Sequence, residues 1–150
     1  KLRGARVIAM ASEAKHADVM KLGPDLVLPR APEDLREALG EEKISVVADV
    51  VGGIYWPGLI DILERGGRYT CSGAIAGPIV EFDLRTFYLH DLTFTGSTVV
   101  PLGTLRKVAD HIERGDIKPV LAATYPLNAL REAQQAFIDK KHTGNIVVIP

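Results

Sequence analysis

The feature that most constrains the fold is the alternation of short apolar runs with helix-like segments along the whole chain. Strands are predicted at 6–10, 26–28, 45–51, 68–72, 92–95, 120–123 and 145–149. Helices are predicted at 12–22, 32–40, 55–64, 85–90, 102–114 and 127–140. Short apolar strands that alternate with helices are typical of right-handed βαβ units on a parallel sheet that is buried on both faces. The sequence therefore predicts an α/β domain.

Composition excludes several classes of function. The net charge is −1, whereas a nucleic-acid or acidic membrane surface requires clustered lysine and arginine. No apolar run approaches the roughly 20 residues of a membrane-spanning helix. Cys71 is the one cysteine, so an internal disulfide framework is excluded and a reducing, cytoplasmic location is expected.

Small residues follow four of the predicted strands. These strand ends are Ala11-Ser12, Val51-Gly52-Gly53, Ser72-Gly73-Ala74 and Gly96-Ser97. In an open parallel sheet, ligands bind beyond the carboxyl ends of the strands. Glycine, serine and alanine allow a flat ligand to approach the backbone, although any one of these sites alone is better explained as a turn. All four together favour a long ligand that crosses the sheet edge.

Motifs for catalysis within this chain are missing. The histidines at 16, 90, 111 and 142 have no cysteine or carboxylate at metal-ligand spacing. The G-x-S-x-G hydrolase motif does not occur, and no tyrosine has a lysine four residues later. Cys71 falls within a predicted strand and is interpreted as a buried structural thiol. We therefore predict no catalytic residue and no metal ligand here.

An ordered set of short motifs resembles a known superfamily. The motifs are Ala11-Ser12-Glu13-Ala14-Lys15, Lys21-Leu22-Gly23-Pro24-Asp25, Asp49-Val50-Val51-Gly52-Gly53, Gly66-Gly67-Arg68-Tyr69 and the closing run from His142 to Pro150. Their order and spacing are similar to the cofactor domain of the medium-chain dehydrogenase/reductase superfamily. The nearest branch is the zinc-type alcohol dehydrogenase and quinone oxidoreductase group.

This resemblance implies a doubly wound, Rossmann-like parallel sheet in the order 3-2-1-4-5-6, of which the chain supplies the second strand onward. The first strand and its glycine-rich phosphate loop are expected upstream of Lys1, because G-x-G-x-x-G is absent here. Residues 1–150 are thus expected to be a truncated dinucleotide-binding domain. The catalytic substrate domain would be missing, and the fragment alone would be inactive.

The end of the first predicted strand bears on cofactor choice. Sites for NAD usually carry an acidic residue there to bind the adenosine ribose, but this chain has Met10-Ala11-Ser12. A 2′-phosphate suits Ser12, Lys15 and Arg30 instead, and NADP-dependent relatives use the positions of Ser12 and Lys15. The sequence favours NADP(H) over NAD(H). The alternative is a helix cap at Ser12 and a solvated lysine.

The resemblance assigns further residues to the cofactor. Val51 and Gly52 would border the adenosine side, Ser72, Gly73 and Ala74 the nicotinamide end, and Gly96, Ser97 and Thr98 the carboxamide or a dimer edge. Asn145 stands where many relatives carry lysine, so a charge contact from this position is not expected.

The implied reaction is hydride transfer between NADP(H) and an alcohol, a carbonyl or an activated alkene such as a quinone or enone. Any zinc would belong to the missing domain. A homodimer through edge strand 92–97 is also implied. Two alternatives remain open: an S-adenosylmethionine-dependent methyltransferase, which should carry an acidic ribose ligand, and a non-catalytic nucleotide-binding module.

Overall fold

The computed structural model describes residues 1–30 and 34–150. The strands are β1 (Ile8–Ala11), β2 (Leu26–Pro29), β3 (Ile44–Asp49), β4 (Leu63–Cys71), β5 (Thr93–Gly96), β6 (Leu121–Pro126) and β7 (Asn145–Ile149). The α-helices are α1 (His16–Met20), α2 (Leu35–Leu39), α3 (Trp56–Asp61), α4 (Leu84–Leu89), α5 (Leu102–Glu113) and α6 (Leu130–Asp139). Short 3-10 turns precede α1, α3 and α6. The predicted α/β class and the order of the elements are confirmed.

The chain divides into two compact units, one formed by Lys1–Arg30 with Pro101–Pro150 and the other by Ala31–Val100. In the first unit β1 pairs with β2, and β6 pairs with β7, both in parallel. The carboxylate of Asp25 accepts hydrogen bonds from Lys1 Nζ at 2.7 Å and from the Val7 amide at 2.7 Å. These bonds lower the pKa of Asp25 and tie the start of β2 to the residue before β1.

In the second unit β3, β4 and β5 form a parallel sheet in that order. An aromatic cluster packs on it: the Trp56 ring lies 4.9 Å from Phe82 and 6.0 Å from both Tyr69 and Phe94, in edge-to-face contacts. Trp56 begins α3, and the same helix buries Ile60, which is 2% exposed. The core of this unit therefore lies between α3 and the sheet.

Two predicted boundaries are corrected. The helix predicted at 55–64 ends at Asp61, and the strand predicted at 68–72 begins at Leu63. Leu63 pairs with Ile44, and the next pair is Val46 with Arg68, with a shift in register between the two pairs. The strand β4 therefore includes Gly66-Gly67. These glycines are therefore an irregularity within a strand rather than a helix stop.

Two other predicted helix starts, at Pro32 and Ser12, can be compared with the structure. Asp34 caps α2 by accepting the Glu37 amide at 2.9 Å, while the predicted helix start at Pro32 and Glu33 lies outside the described residues. Ser12 stands before a 3-10 turn and makes no capping hydrogen bond with its side chain.

The parallel pair β1–β2 and the parallel sheet β3–β4–β5 each contain neighbours that the order 3-2-1-4-5-6 requires. The order across the complete sheet stays a prediction. Within residues 1–30 and 34–150, every helix is too short or too polar to span a lipid bilayer. The cytoplasmic location stays a prediction as well.

Candidate functional site

The first part of the candidate site lies at the carboxyl ends of β1 and β2. Ala11 pairs with Pro29, so Ser12 and Arg30, which follow these residues, leave the sheet at the same edge. Ser12 is half-buried, and Arg30 is exposed. The structure thus brings together two of the three residues predicted to bind a 2′-phosphate, with no carboxylate at the end of either strand.

Lys15, the third of these residues, is held in place by a residue distant in sequence. Its ammonium donates a hydrogen bond of 2.7 Å to the carbonyl oxygen of His142. An ammonium carries three donors, so this bond leaves donors for a ligand. A hydroxyl without a capping role, a fixed ammonium and an exposed guanidinium are donors that suit a phosphate dianion. The residues present therefore fit the implied group.

Asn145 takes part in strand pairing. Its backbone amide donates to the Val120 carbonyl at 2.8 Å, and its side-chain amide approaches the same oxygen at 3.4 Å. The preceding Gly144 has a φ of +106°, and a Cβ there would lie 2.5 Å from the Val120 oxygen. These contacts fix the segment that leads back to His142. A cofactor contact for Asn145 stays a prediction.

The second part of the candidate site centres on a buried carboxylate at the end of β3. Asp49, 5% exposed, accepts hydrogen bonds from the Val51 amide at 2.7 Å, the Gly52 amide at 3.2 Å and the Tyr69 hydroxyl at 2.8 Å. Burial and the hydrogen bond to Asp49 raise the pKa of Tyr69 well above its ordinary value. The tyrosine is therefore a neutral donor at physiological pH.

The segments after β3 and β4 pack directly against each other. The Ser72 amide donates to the Asp49 carbonyl at 3.0 Å, and the Ala76 amide donates to the Val51 carbonyl at 2.8 Å. A Cβ at Gly73 would lie 2.9 Å from the Val50 oxygen, and one at Gly52 would lie 3.1 Å from the Gly77 oxygen. The small size of Gly52 and Gly73 is thus required by the chain itself, whereas the sequence interpretation attributed it to an approaching ligand.

Gly96 differs from these glycines. A Cβ there would meet nothing within 4 Å, so the chain's own packing does not require glycine at this position. The next residue, Ser97, donates its amide to the Cys71 carbonyl at 2.9 Å. The predicted nicotinamide residues Ser72 and Ala74 are exposed, as are Ser97 and Thr98. An accessible edge of small residues therefore follows β4 and β5, as a flat ligand requires.

Cys71 ends β4 and is half-buried rather than buried as predicted. Its Sγ donates to the Gly73 carbonyl at 3.2 Å.

Beside the paired segments, a cavity of about 370 Å³ is lined mainly by apolar groups that include Ile54, Ile79 and Val80. Among the residues that the structure describes, no three or more His, Cys, Asp or Glu side chains are grouped as a metal site would require.

Two features of the candidate site were missed by sequence reasoning. Asp49 belongs to a motif that carried the resemblance, yet no role was assigned to it. An aspartate directly before a glycine-containing turn is a signal for an Asx turn, which could have predicted its bonds to Val51 and Gly52. The contact of Lys15 with His142 joins residues 127 positions apart and has no local signal.

Comparison with known proteins gives one consistent result. The family model of the zinc-binding dehydrogenases matches residues 22–148. An acryloyl-coenzyme A reductase from Sulfurisphaera tokodaii is 28% identical over 152 residues, which cover 100% of this chain and 45% of that protein.

Solved structures agree. A candidate alcohol dehydrogenase from Sinorhizobium meliloti 1021 is 41% identical with a TM-score of 0.92, and the match covers 99% of this chain and 42% of that one. A thermostable alcohol dehydrogenase from Pyrobaculum aerophilum with bound cobalt and zinc is 31% identical with a TM-score of 0.82, covering 98% and 43%. The Rossmann-like fold is confirmed. The chain spans less than half the length of these relatives.

Proposed function

Since the chain belongs to the zinc-binding dehydrogenase family, we propose that it is the dinucleotide-binding part of an NADP(H)-dependent oxidoreductase. The observation that carries the choice of cofactor is the end of β1, where Ser12 and Lys15 offer donors and no carboxylate ends the strand. An acidic residue there would bind the ribose of NAD and repel a 2′-phosphate. Catalytic contacts to the substrate, and any zinc, belong in this proposal to the rest of the full-length protein.

The chain's residues bind and orient the cofactor in this proposal. NADPH, when bound, supplies the hydride. Ser12, Lys15 and Arg30 hold the 2′-phosphate, and Val51 and Gly52 border the adenosine. The edge formed by Ser72, Gly73, Ala74, Gly96, Ser97 and Thr98, all exposed except the half-buried Gly73, receives the nicotinamide end. Backbone groups at such an edge fix the ring without bringing a competing acid or base to it.

The substrate class proposed is an alcohol, a carbonyl or an activated alkene. The two solved relatives described above are alcohol dehydrogenases by name, whereas the curated relative is an acryloyl-coenzyme A reductase. Loss of NADPH absorbance with aldehydes, quinones and enoyl thioesters, measured on the full-length protein, will distinguish these classes.

A titration of the full-length protein with NADPH and NADH tests the cofactor assignment. We expect NADPH to bind at least about tenfold more tightly, since one hydrogen bond to a charged group contributes about 1.5 to 3 kcal/mol. Enhancement of nicotinamide fluorescence gives both dissociation constants. Equal affinities would contradict the choice of NADP(H), and binding of neither nucleotide would contradict the oxidoreductase proposal. S-adenosylmethionine serves as the control ligand.

A homodimer is proposed through β5 and its flanks, residues 92–97. Within the part of the second unit that the structure describes, β5 pairs with β4 and leaves its other edge open. An open edge favours strand addition across a twofold axis. We expect sedimentation velocity of the full-length protein at micromolar concentration to give a dimer, and a monomer alone would contradict this prediction.

A further inference from the structure

The buried carboxylate of Asp49 has no part in the function proposed above, yet it joins three groups near the ends of β3 and β4. Its two oxygens receive the Val51 and Gly52 amides and the Tyr69 hydroxyl. A buried carboxylate is unfavourable unless such donors compensate the loss of water. The arrangement therefore fixes three groups relative to one another.

These bonds shape the segment after β3. Gly52 has a φ of +61° and Gly53 has a φ of +61°, a conformation that the backbone adopts readily only at glycine. The Asp49 carboxylate holds the two amides that begin this turn. Without it, the part-buried Val51 amide and the buried Gly52 amide would lose their acceptor, and the turn would lose the contacts that select its conformation.

The same carboxylate acts at a distance on the segment after β4. The Val51 carbonyl accepts the Ala76 amide at 2.8 Å, and Gly53 is so close to Ala76 that a Cβ could not be accommodated. Tyr69, which donates to Asp49, lies in β4, two residues before Cys71 ends that strand. Both segments are therefore linked to one side chain through these contacts.

We propose that Asp49 is a positioning residue for the dinucleotide, one that sets the segments 50–53 and 72–77 in the geometry that binds the cofactor. This inference rests on the proposed function. Asp49 acts through Val51, Gly52 and the residues packed on them, without touching the ligand. An asparagine at 49 preserves the network, because its amide oxygen accepts the two backbone amides and its amide nitrogen donates to the Tyr69 oxygen.

The test uses the full-length protein and its Asp49→Asn, Asp49→Ser and Asp49→Ala variants. Dissociation constants for NADPH are measured well below each variant's melting temperature. We expect Asp49→Ala to weaken binding about tenfold, and Asp49→Asn to stay within about threefold of the wild type. Asp49→Ser keeps one short acceptor and should fall between them; it replaces the alanine variant in the comparison if that variant does not fold.

A matched control is Asp83→Ala, which removes a carboxylate that caps α4 in the same unit by accepting the Arg85 amide at 2.9 Å. It should lower the melting temperature and leave NADPH binding unchanged. If Asp49→Ala also loses stability but binds NADPH like the wild type, Asp49 is structural only and the inference is wrong. If the wild type binds no nicotinamide nucleotide, the proposed function fails and the inference fails with it.

Discussion

Replacement of Gly53 by alanine is expected to lower the free energy of unfolding of the full-length protein by about 3 kcal/mol. Two effects add at this position. A Cβ would lie 2.4 Å from the Ala76 carbonyl oxygen, which is backbone and cannot turn aside, and φ is +61°, where alanine is strained. Left-handed backbone costs a residue other than glycine about 1 to 2 kcal/mol, and overpacking typically about 1 to 3 kcal/mol.

Three further glycines of the same unit separate these effects. Gly66 has a φ of +75° and open space, so Gly66→Ala should show the backbone strain alone. Gly67 has no positive φ, but its Cβ would lie 2.8 Å from the Glu64 oxygen, so Gly67→Ala should show the clash alone. Gly58 has neither restriction and lies in α3, where alanine should stabilise by about 0.5 to 1 kcal/mol.

Denaturant midpoints at unchanged slope, compared among the four variants, give the measurement. The largest loss is expected for Gly53→Ala and a gain for Gly58→Ala. If Gly53→Ala were no less stable than Gly66→Ala, the close packing of the segments after β3 and β4 would be wrong, and with it the basis for coupling them through Asp49.

The order of strands and helices was predictable because apolar runs and caps are local signals. The boundaries of these elements were less predictable where strand pairing overrides a local signal in the sequence. Glycine pairs usually stop helices, which is why the strand was predicted to start at Arg68, but the pairing of Leu63 with Ile44 extends β4 back through Gly66-Gly67. Ile44 lies about 20 residues before Leu63, so the residues around Gly66-Gly67 alone give no sign of this pairing.

The sequence predicted which small residues follow the strands, but it did not predict why each of them is small. Small residues at the strand ends were expected to admit a ligand, and Gly96 has the open space that this requires. Gly52 and Gly73 are instead small because another backbone segment packs on them, a contact between chain segments about 25 residues apart. A glycine in the sequence indicates that a side chain is not tolerated at that position. Only the three-dimensional structure shows whether a ligand or another segment of the chain takes up the space.

Replacement of Lys15 by methionine is expected to weaken NADPH binding by about 10- to 100-fold while NADH binding changes by less than about twofold. Methionine keeps the apolar stem and removes the charge. The 2′-phosphate is the one group that distinguishes the two cofactors, so a residue that binds it must change the ratio of the two affinities. The bond of Lys15 to the His142 carbonyl already orders the ammonium, which reduces the entropy that phosphate binding would otherwise lose.

Lys21→Met is the matched control, because Lys21 is an exposed lysine at the end of α1 that pairs with Asp18 at 2.8 Å. It should leave both dissociation constants unchanged, and because an exposed ion pair contributes little to stability, the variant should also stay folded. The contact with His142 also supports a purely structural role for Lys15, in which the methionine variant would lose stability with no change in the NADPH to NADH ratio. Fluorescence titration with both nucleotides, together with the melting temperature of each variant, separates the two roles, since only a phosphate ligand alters the ratio.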